Sequence, residues 1–367
     1  MQKLKNIEFI RTFLITTIIL LHTFLNRGWC LCSQYADINI YKLFQKAFVH
    51  SNNSVEGFFI IAGFLLILTF KKSASFPDFI KKKYIRLSPV IAFSILFFII
   101  GNIFNIVSFK PVPDVLSIAL LNNFGIRWAI SDNPVLWFTS ALFGGLLIYF
   151  CIYKYLKKYA PLIISFLSIA GYLVLEILQG GNFSHPLNNY YGIFNVGFLR
   201  AVGGIGLGCL LGIIYKKYSD QINDFKADKL SKIFISFAEV LSFLFLLWWT
   251  IIPHSSLNNL YFVIAFTILF SLMVIKKGYF SNLTEKDIWV KLAKYQYSLY
   301  VTHYVIIKLF GLALWKNTHE FIHTHPILPI FTTLFAVLCM GIFTYHFIET
   351  PCADWLKNKL MNKTKAA

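Results

Sequence analysis

Ten separate stretches of the 367-residue chain are each close to 20 residues long and mostly apolar. They run at roughly 7–27, 55–70, 87–107, 135–153, 160–178, 197–215, 233–252, 258–275, 297–315 and 327–347. About 20 apolar residues is the length that spans a bilayer as a helix. In lipid each backbone N–H and C=O must be satisfied within the segment, so helix is the form such stretches take. Composition agrees: 57% of residues are hydrophobic, 18% aromatic and only 14% charged, against about 25% charged in soluble domains. A soluble enzyme, a disordered chain and a low-complexity fibre are excluded. The expected fold is all-α, a polytopic membrane protein with about ten transmembrane helices. The second stretch is short and is read as beginning earlier, near Phe48; no internal repeat is visible.

The net charge of +18 would suggest a nucleic-acid partner in a soluble protein. Its distribution says otherwise. With the N-terminus inside and the chain alternating, 25 Lys and Arg fall on inner segments, 6 on outer ones and 3 (Arg11, Arg200, Lys308) within spans. That asymmetry follows the positive-inside rule and accounts for the charge without nucleic acid. Both termini are then expected in the cytoplasm of a multi-pass protein of the inner (plasma) membrane, in contact with membrane lipids. Residues 1–350 read as one membrane-embedded domain and 351–367 as a short basic cytoplasmic tail.

Lys3 and Lys5 before an apolar run imitate a secretory signal, but no small-residue cleavage site follows, so the segment is kept as the first span. Cys30 and Cys32 fall on an outer segment; with one residue between them they read as two separate thiols. Cys151, Cys209 and Cys339 read as small packing residues within spans. The outer His319, His323 and His325 lack a committed set of further ligands, and no metal site is expected there.

Ionisable side chains inside a bilayer are costly, and are paired or functional. Arg11 and His22 share the first span. Eleven residues at 100° each make three turns plus about 20°, which places both on one face about 16 Å apart. A structural reading has Arg11 snorkelling to headgroups and His22 packing; a functional reading uses the aligned pair. In the ninth span, Tyr295-Gln296-Tyr297-Ser298-Leu299-Tyr300-Val301-Thr302-His303 is dense in hydroxyls and needs a polar cavity or a partner helix. Glu349 near the inner end of the tenth span reads as a structural ion-pair partner, with Pro351 expected to stop the helix. Glu56 at the outer edge of the second span is a supporting polar residue or a solvated cap, beside Gly57 and Gly63, which permit close helix approach. The segment from Lys81 to Pro89 reads as a basic inner loop that either orients the protein or holds a phosphorylated ligand.

In order along the chain, these blocks resemble the acyltransferase 3 family of integral membrane acyltransferases. Arg11 and His22 match its Arg-x10-His. Phe58-Phe59-Ile60-Ile61-Ala62-Gly63-Phe64 resembles its Phe-Phe-x-x-Ser-Gly-Phe, with Ala62 where Ser is usual. Lys83-Tyr84-Ile85-Arg86 resembles its Arg-x-x-Arg, with Lys83 for the first Arg. Leu136-Trp137-Phe138 resembles its Trp-Phe block. Tyr297 to His303 and Tyr345 to Pro351 resemble its Ser-Tyr-x-x-Tyr-Leu-x-His and Tyr-x-x-Ile-Glu-x-Pro segments.

The resemblance implies transfer of an acyl group, commonly acetyl, from cytoplasmic acyl-CoA to a hydroxyl of a surface polysaccharide, lipid-linked glycan or similar acceptor. Acyl-CoA is then a co-substrate, and no bound cofactor or metal is expected. Lys83 and Arg86, with Lys82, would grip CoA phosphates. Arg11 would hold the donor or developing charge, and His22 would act as general base or transient acyl carrier. Glu56, Trp137, His303 and Glu349 would support the site. About twenty residues follow the tenth span, so the extracytoplasmic hydrolase-like domain of some members is not expected here. The competing reading is a glycan or lipid transporter, which mid-membrane polar residues fit equally well; a plain anchor or scaffold would leave Arg11 and His22 unexplained.

Overall fold

The computed structural model describes residues 4–24, 35, 37–107, 109–123, 131–184, 186–187, 189–190, 194–251, 258–315 and 318–361. Its helices in chain order are α1 (Lys5–Phe24), α2 (Asn39–Phe48), α3 (Ser54–Leu68), α4 (Phe76–Ile103), α5 (Pro111–Ile118), α6 (Trp137–Tyr155), α7 (Ala160–Gln179) and α8 (Val196–Asp224). They continue with α9 (Lys229–Ile251), α10 (Leu260–Ile275), α11 (Tyr279–Leu283), α12 (Asp287–Ala293), α13 (Gln296–Ala313), α14 (His319–Thr324), α15 (Leu328–Thr344) and α16 (Thr350–Met361). A two-residue antiparallel pairing of Asn189–Tyr190 with Phe194–Asn195 precedes α8.

Among the described residues, eight helical stretches are long and apolar enough to cross a membrane. The remaining two apolar stretches of the sequence are also helical. Of these, α10 has 16 residues and α13 has 18, the latter interrupted by Tyr, Ser, Thr and His.

Side-chain contacts give each helix a direction. Thr17 of α1 meets Ser54 of α3 at 2.7 Å, and Leu14 lies against Gly57, so α1 and α3 are antiparallel. Thr12 receives a hydrogen bond from Gln296 and His22 meets His303, so α1 and α13 are parallel. By the same contacts α4 runs with α13, and α15 runs against it. Both α3 and α6 run with α8, and α7 runs against it.

The tightest crossing is α3 on α8. Gly204, Gly208 and Gly212 recur every four residues and form one stripe. A Cβ at Gly208 would strike the Ile60 carbonyl, and one at Gly63 the Ile205 carbonyl. Glycine on both helices is what lets these backbones touch.

Two expectations are corrected. The basic segment from Lys81 to Pro89 is not a loop: α4 begins at Phe76, where the Ser75 hydroxyl caps it by accepting from the Asp78 N–H at 3.2 Å. Charge at these positions marks the end of a long helix outside the apolar zone rather than a break in it. Pro351 does not stop the tenth helix either. A π-helical turn over Tyr345–Glu349 joins α15 directly to α16. Proline lacks the N–H that an α-helix spends on the carbonyl four residues back, and the wider turn before Pro351 removes that demand.

Candidate functional site

A cavity of about 290 Å³ opens between α1, α3, α4, α6 and α13. Arg11, Thr69, Lys83, Arg86 and Gln296 line it together with Tyr297 and Tyr300. Its remaining wall is apolar: Phe58, Ile61, Ala62, Leu65, Leu66, Leu87, Phe138, Leu142 and Leu146. Along α3 the lining runs from Thr69 to Phe58, eleven residues, a length of about 16 Å. Arg11, Lys83 and Arg86 supply its cationic groups, and Phe58, Phe138, Tyr297 and Tyr300 its aromatic rings.

Helical spacing produces this wall. On α4, Lys83 and Arg86 are three apart and 60° from each other, and Leu87 lies 40° to the other side of Lys83. Lys82 is 100° from Lys83, exposed, and absent from the lining. Among the described residues, neither Lys83 nor Arg86 has a carboxylate within ion-pair distance. Lys83 stands 5.4 Å over the Phe79 ring. Arg11 is held by Glu8, one turn earlier, at 2.8 Å. Gln296 is 3% exposed and donates to Thr12 at 3.0 Å, while its Oε1 has no partner among the described residues.

At the level of the aromatic end stand two histidines. His22 Nδ1 and His303 Nε2 are 2.9 Å apart, and the ring centroids are separated by 5.0 Å. His303 Nδ1 lies 3.1 Å from the Leu299 carbonyl oxygen. A carbonyl only accepts, so His303 Nδ1 carries a proton. With His303 neutral, its Nε2 is then an acceptor and His22 Nδ1 must donate to it. The chain of bonds places the basic lone pair of His22 on Nε2. The Tyr300 ring lines the cavity and lies 5.8 Å from that of His303, with its hydroxyl donating to the Val135 carbonyl at 2.8 Å. Arg11 and His22, paired by angular position in the sequence, thus both turn toward α13, one at the cavity mouth and one beyond its far end.

Glu56 is not a solvated cap. It is fully buried and accepts from Arg200 Nε at 2.5 Å and from the Tyr172 hydroxyl at 3.0 Å. Arg200, 1% exposed, also donates to the carbonyls of Phe183 and Asn52 at 2.8 and 3.0 Å. It lies 5.2 Å over Trp137. Trp137 therefore covers this cluster and does not line the cavity. Sequence reasoning placed Arg200 in a span and went no further. The signal was available, since the rule that singled out Arg11 applies equally to a lone Arg in an apolar helix.

Glu349 accepts from the Ser298 hydroxyl at 2.6 Å. Arg86 acts on it through space but is not within ion-pair contact, so the expected structural ion pair is replaced by this hydroxyl contact. Lys308 stacks 5.0 Å over Phe98. Cys209 is buried, Cys151 half-buried and Cys339 exposed on the bundle surface, so Cys339 is not the packing residue expected. Cys30 and Cys32 lie outside the described residues, as do Arg27, Arg127 and Lys316. His323 pairs with Asp37 at 3.1 Å. Among the described residues no group of three His, Cys, Asp or Glu is placed to hold a metal ion.

At the aromatic end a polar loop closes the bundle. The Asp114 carboxylate accepts from Ser131 Oγ at 2.5 Å and from the Asp132 N–H at 3.2 Å. Burial pushes the Asp114 carboxyl above the ordinary carboxylate range, with the Ser131 bond opposing it. Asn133 donates to the Val301 carbonyl at 2.9 Å, tying this loop to α13 two residues before His303.

The helical bundle thus holds a cavity lined by three cationic side chains, with two histidines in contact on the helices beside it. The acyltransferase domain of the acyltransferase 3 family matches residues 4–346, and the chain belongs to that family. It is a membrane acyltransferase. No curated protein and no solved structure matches the chain.

Proposed function

We propose that the protein moves an acyl group, acetyl in the simplest case, from acyl-CoA to a hydroxyl of a surface polysaccharide or lipid-linked glycan. The observation that carries the donor half is the cavity itself. Three cationic side chains, Arg11, Lys83 and Arg86, line a largely apolar passage. Lys83 and Arg86 have no carboxylate in ion-pair contact among the described residues, and guanidinium and ammonium groups so placed suit phosphates. A length of about 16 Å along α3 suits an extended pantetheine arm. Gln296 Oε1, buried and without a partner, is an acceptor for an amide N–H of that arm.

In the transfer, His22 Nε2 takes the proton of the acceptor hydroxyl, and the oxygen attacks the thioester carbonyl. The C–O ester bond forms, the C–S bond breaks, and the departing CoA thiolate recovers a proton from His22. His303 is a positioning residue: it holds the tautomer in which His22 Nε2 is basic. Arg11, at the mouth, holds the donor. The 25-to-6 distribution of Lys and Arg supports placing the mouth in the cytoplasm and the histidines toward the outer face of the inner membrane.

The test is turnover by purified protein in detergent. Radiolabelled acetyl-CoA is supplied with surface polysaccharide and lipid-linked glycan extracted from the producing cells. Thiol release and alkali-labile label on the glycan are both measured. Release of CoA matched by label on the acceptor is the expected result. Binding or movement of glycan with no CoA release overturns the reading and favours a transporter.

A further inference from the structure

One part of the cavity wall is aromatic. Three aromatic side chains from three helices meet there: Phe58 of α3, Phe138 of α6 and Tyr300 of α13. Phe138 stands 5.0 Å from Tyr300 and 6.1 Å from Phe58, centroid to centroid. Two of the rings are held from behind. Phe138 also packs against Phe59 at 4.9 Å, and Phe59 is fully buried. Tyr300 is tied through its hydroxyl to the Val135 carbonyl at 2.8 Å, and Val135 sits in the turn that leads into α6. Aromatic rings fixed on rigid helices make a firm wall, because a packed interior yields little before strain appears.

We infer that Phe58, Phe138 and Tyr300 form an acyl-length stop that restricts the donor to short-chain acyl-CoA. The inference rests on the donor-cavity reading above. With the phosphates at Lys83 and Arg86 and the pantetheine arm along α3, the acyl group arrives at the tip, against these rings. A two-carbon acyl group ends before them; each further methylene must enter space the rings already fill. Tyr300 lines this end, and its ring centroid lies 5.8 Å from that of His303.

The experiment is competition binding on purified full-length protein in detergent. Radiolabelled acetyl-CoA is the probe, with unlabelled CoA, acetyl-CoA, butyryl-CoA and hexanoyl-CoA as competitors. Wild type, Phe138→Ala and Phe58→Leu are compared. Phe58→Leu is the milder change, on a half-buried side chain, and thermal melting checks that both variants remain folded. In wild type, hexanoyl-CoA should compete at least about tenfold worse than acetyl-CoA, the size of discrimination a closed apolar pocket achieves. In the variants that ratio should shrink or invert, while unlabelled CoA competes as in wild type. A ratio unchanged in both folded variants, with CoA still competing, overturns the stop and leaves the donor cavity standing. Failure of CoA and acetyl-CoA to bind wild type at all overturns the donor reading, and the stop with it.

Discussion

Two charged clusters inside the bundle are built on opposite plans. At Glu56 and Arg200 the charges answer each other: the carboxylate takes Arg200 and Tyr172, and the guanidinium makes two further bonds to backbone carbonyls. Both side chains are shut away from solvent, at 0% and 1% exposure, and Trp137 closes over them. At the cavity mouth, Lys83 and Arg86 have no carboxylate in ion-pair contact among the described residues, and they face open space. A cluster that satisfies itself has nothing left to offer a ligand. A cluster that leaves positive charge beside a cavity is built for an anion that comes and goes. Both occur in one apolar scaffold, so the presence of a charge within a span does not distinguish pillar from site; its partners do.

That contrast can be broken by experiment. His22→Ala should show the largest effect on chemistry, with acyl transfer lower by about 10²–10⁴-fold and unchanged thermal stability in detergent. Transfer near the wild-type rate would remove His22 from proton transfer. Arg200→Ala should do the reverse. Loss of one partner from a buried ion pair costs about 3–5 kcal/mol, so folded yield and melting temperature should drop sharply, while the surviving folded fraction binds acetyl-CoA normally. A stable Arg200→Ala protein with poor donor binding would move this cluster from pillar to site.

Smaller effects sharpen the comparison. The double change Lys83→Ala with Arg86→Ala removes bonds to charged groups worth about 1.5–3 kcal/mol each. Acetyl-CoA affinity should drop at least tenfold with insertion and melting preserved, and added salt should weaken wild-type binding more than that of the double variant. Equal affinity would return this basic turn to orienting the protein. Arg11→Lys should give the smallest loss, a partial fall in donor affinity, because the ammonium keeps the charge but cannot hold Glu8 and a phosphate with one planar fork. Wild-type affinity for this variant would mean that charge alone matters at position 11.

Much of the architecture was readable because the spans announce themselves by composition, and the basic and histidine positions by being out of place in them. The angular argument for Arg11 and His22 needed only the helical repeat, and both side chains do turn toward α13. What escaped depended on partners far away in sequence. Glu56 and Arg200 are 144 residues apart, and the glycine stripe that brings their helices together has meaning only once α3 is known to lie on α8. His22 and His303 are 281 apart, so each histidine was visible but the pair was not. Local rules also failed where the surroundings supplied an alternative. A charged run looked like a loop although Ser75 caps a helix before it, and Pro351 looked like a stop although the turn preceding it is wide.

That wide turn deserves to be read as a phase shift. A residue added to one turn of helix advances everything after it by about 100° around the axis. The strip of α15 that packs on α13 and the strip of α16 that follows are therefore out of step, and Glu349 sits where the step occurs, turned inward onto Ser298. Deleting one residue between Tyr345 and Phe347 would restore the regular repeat. It would swing Glu349 away from Ser298 and Arg86 and re-aim the whole basic C-terminal helix, with no change in the charge of the chain.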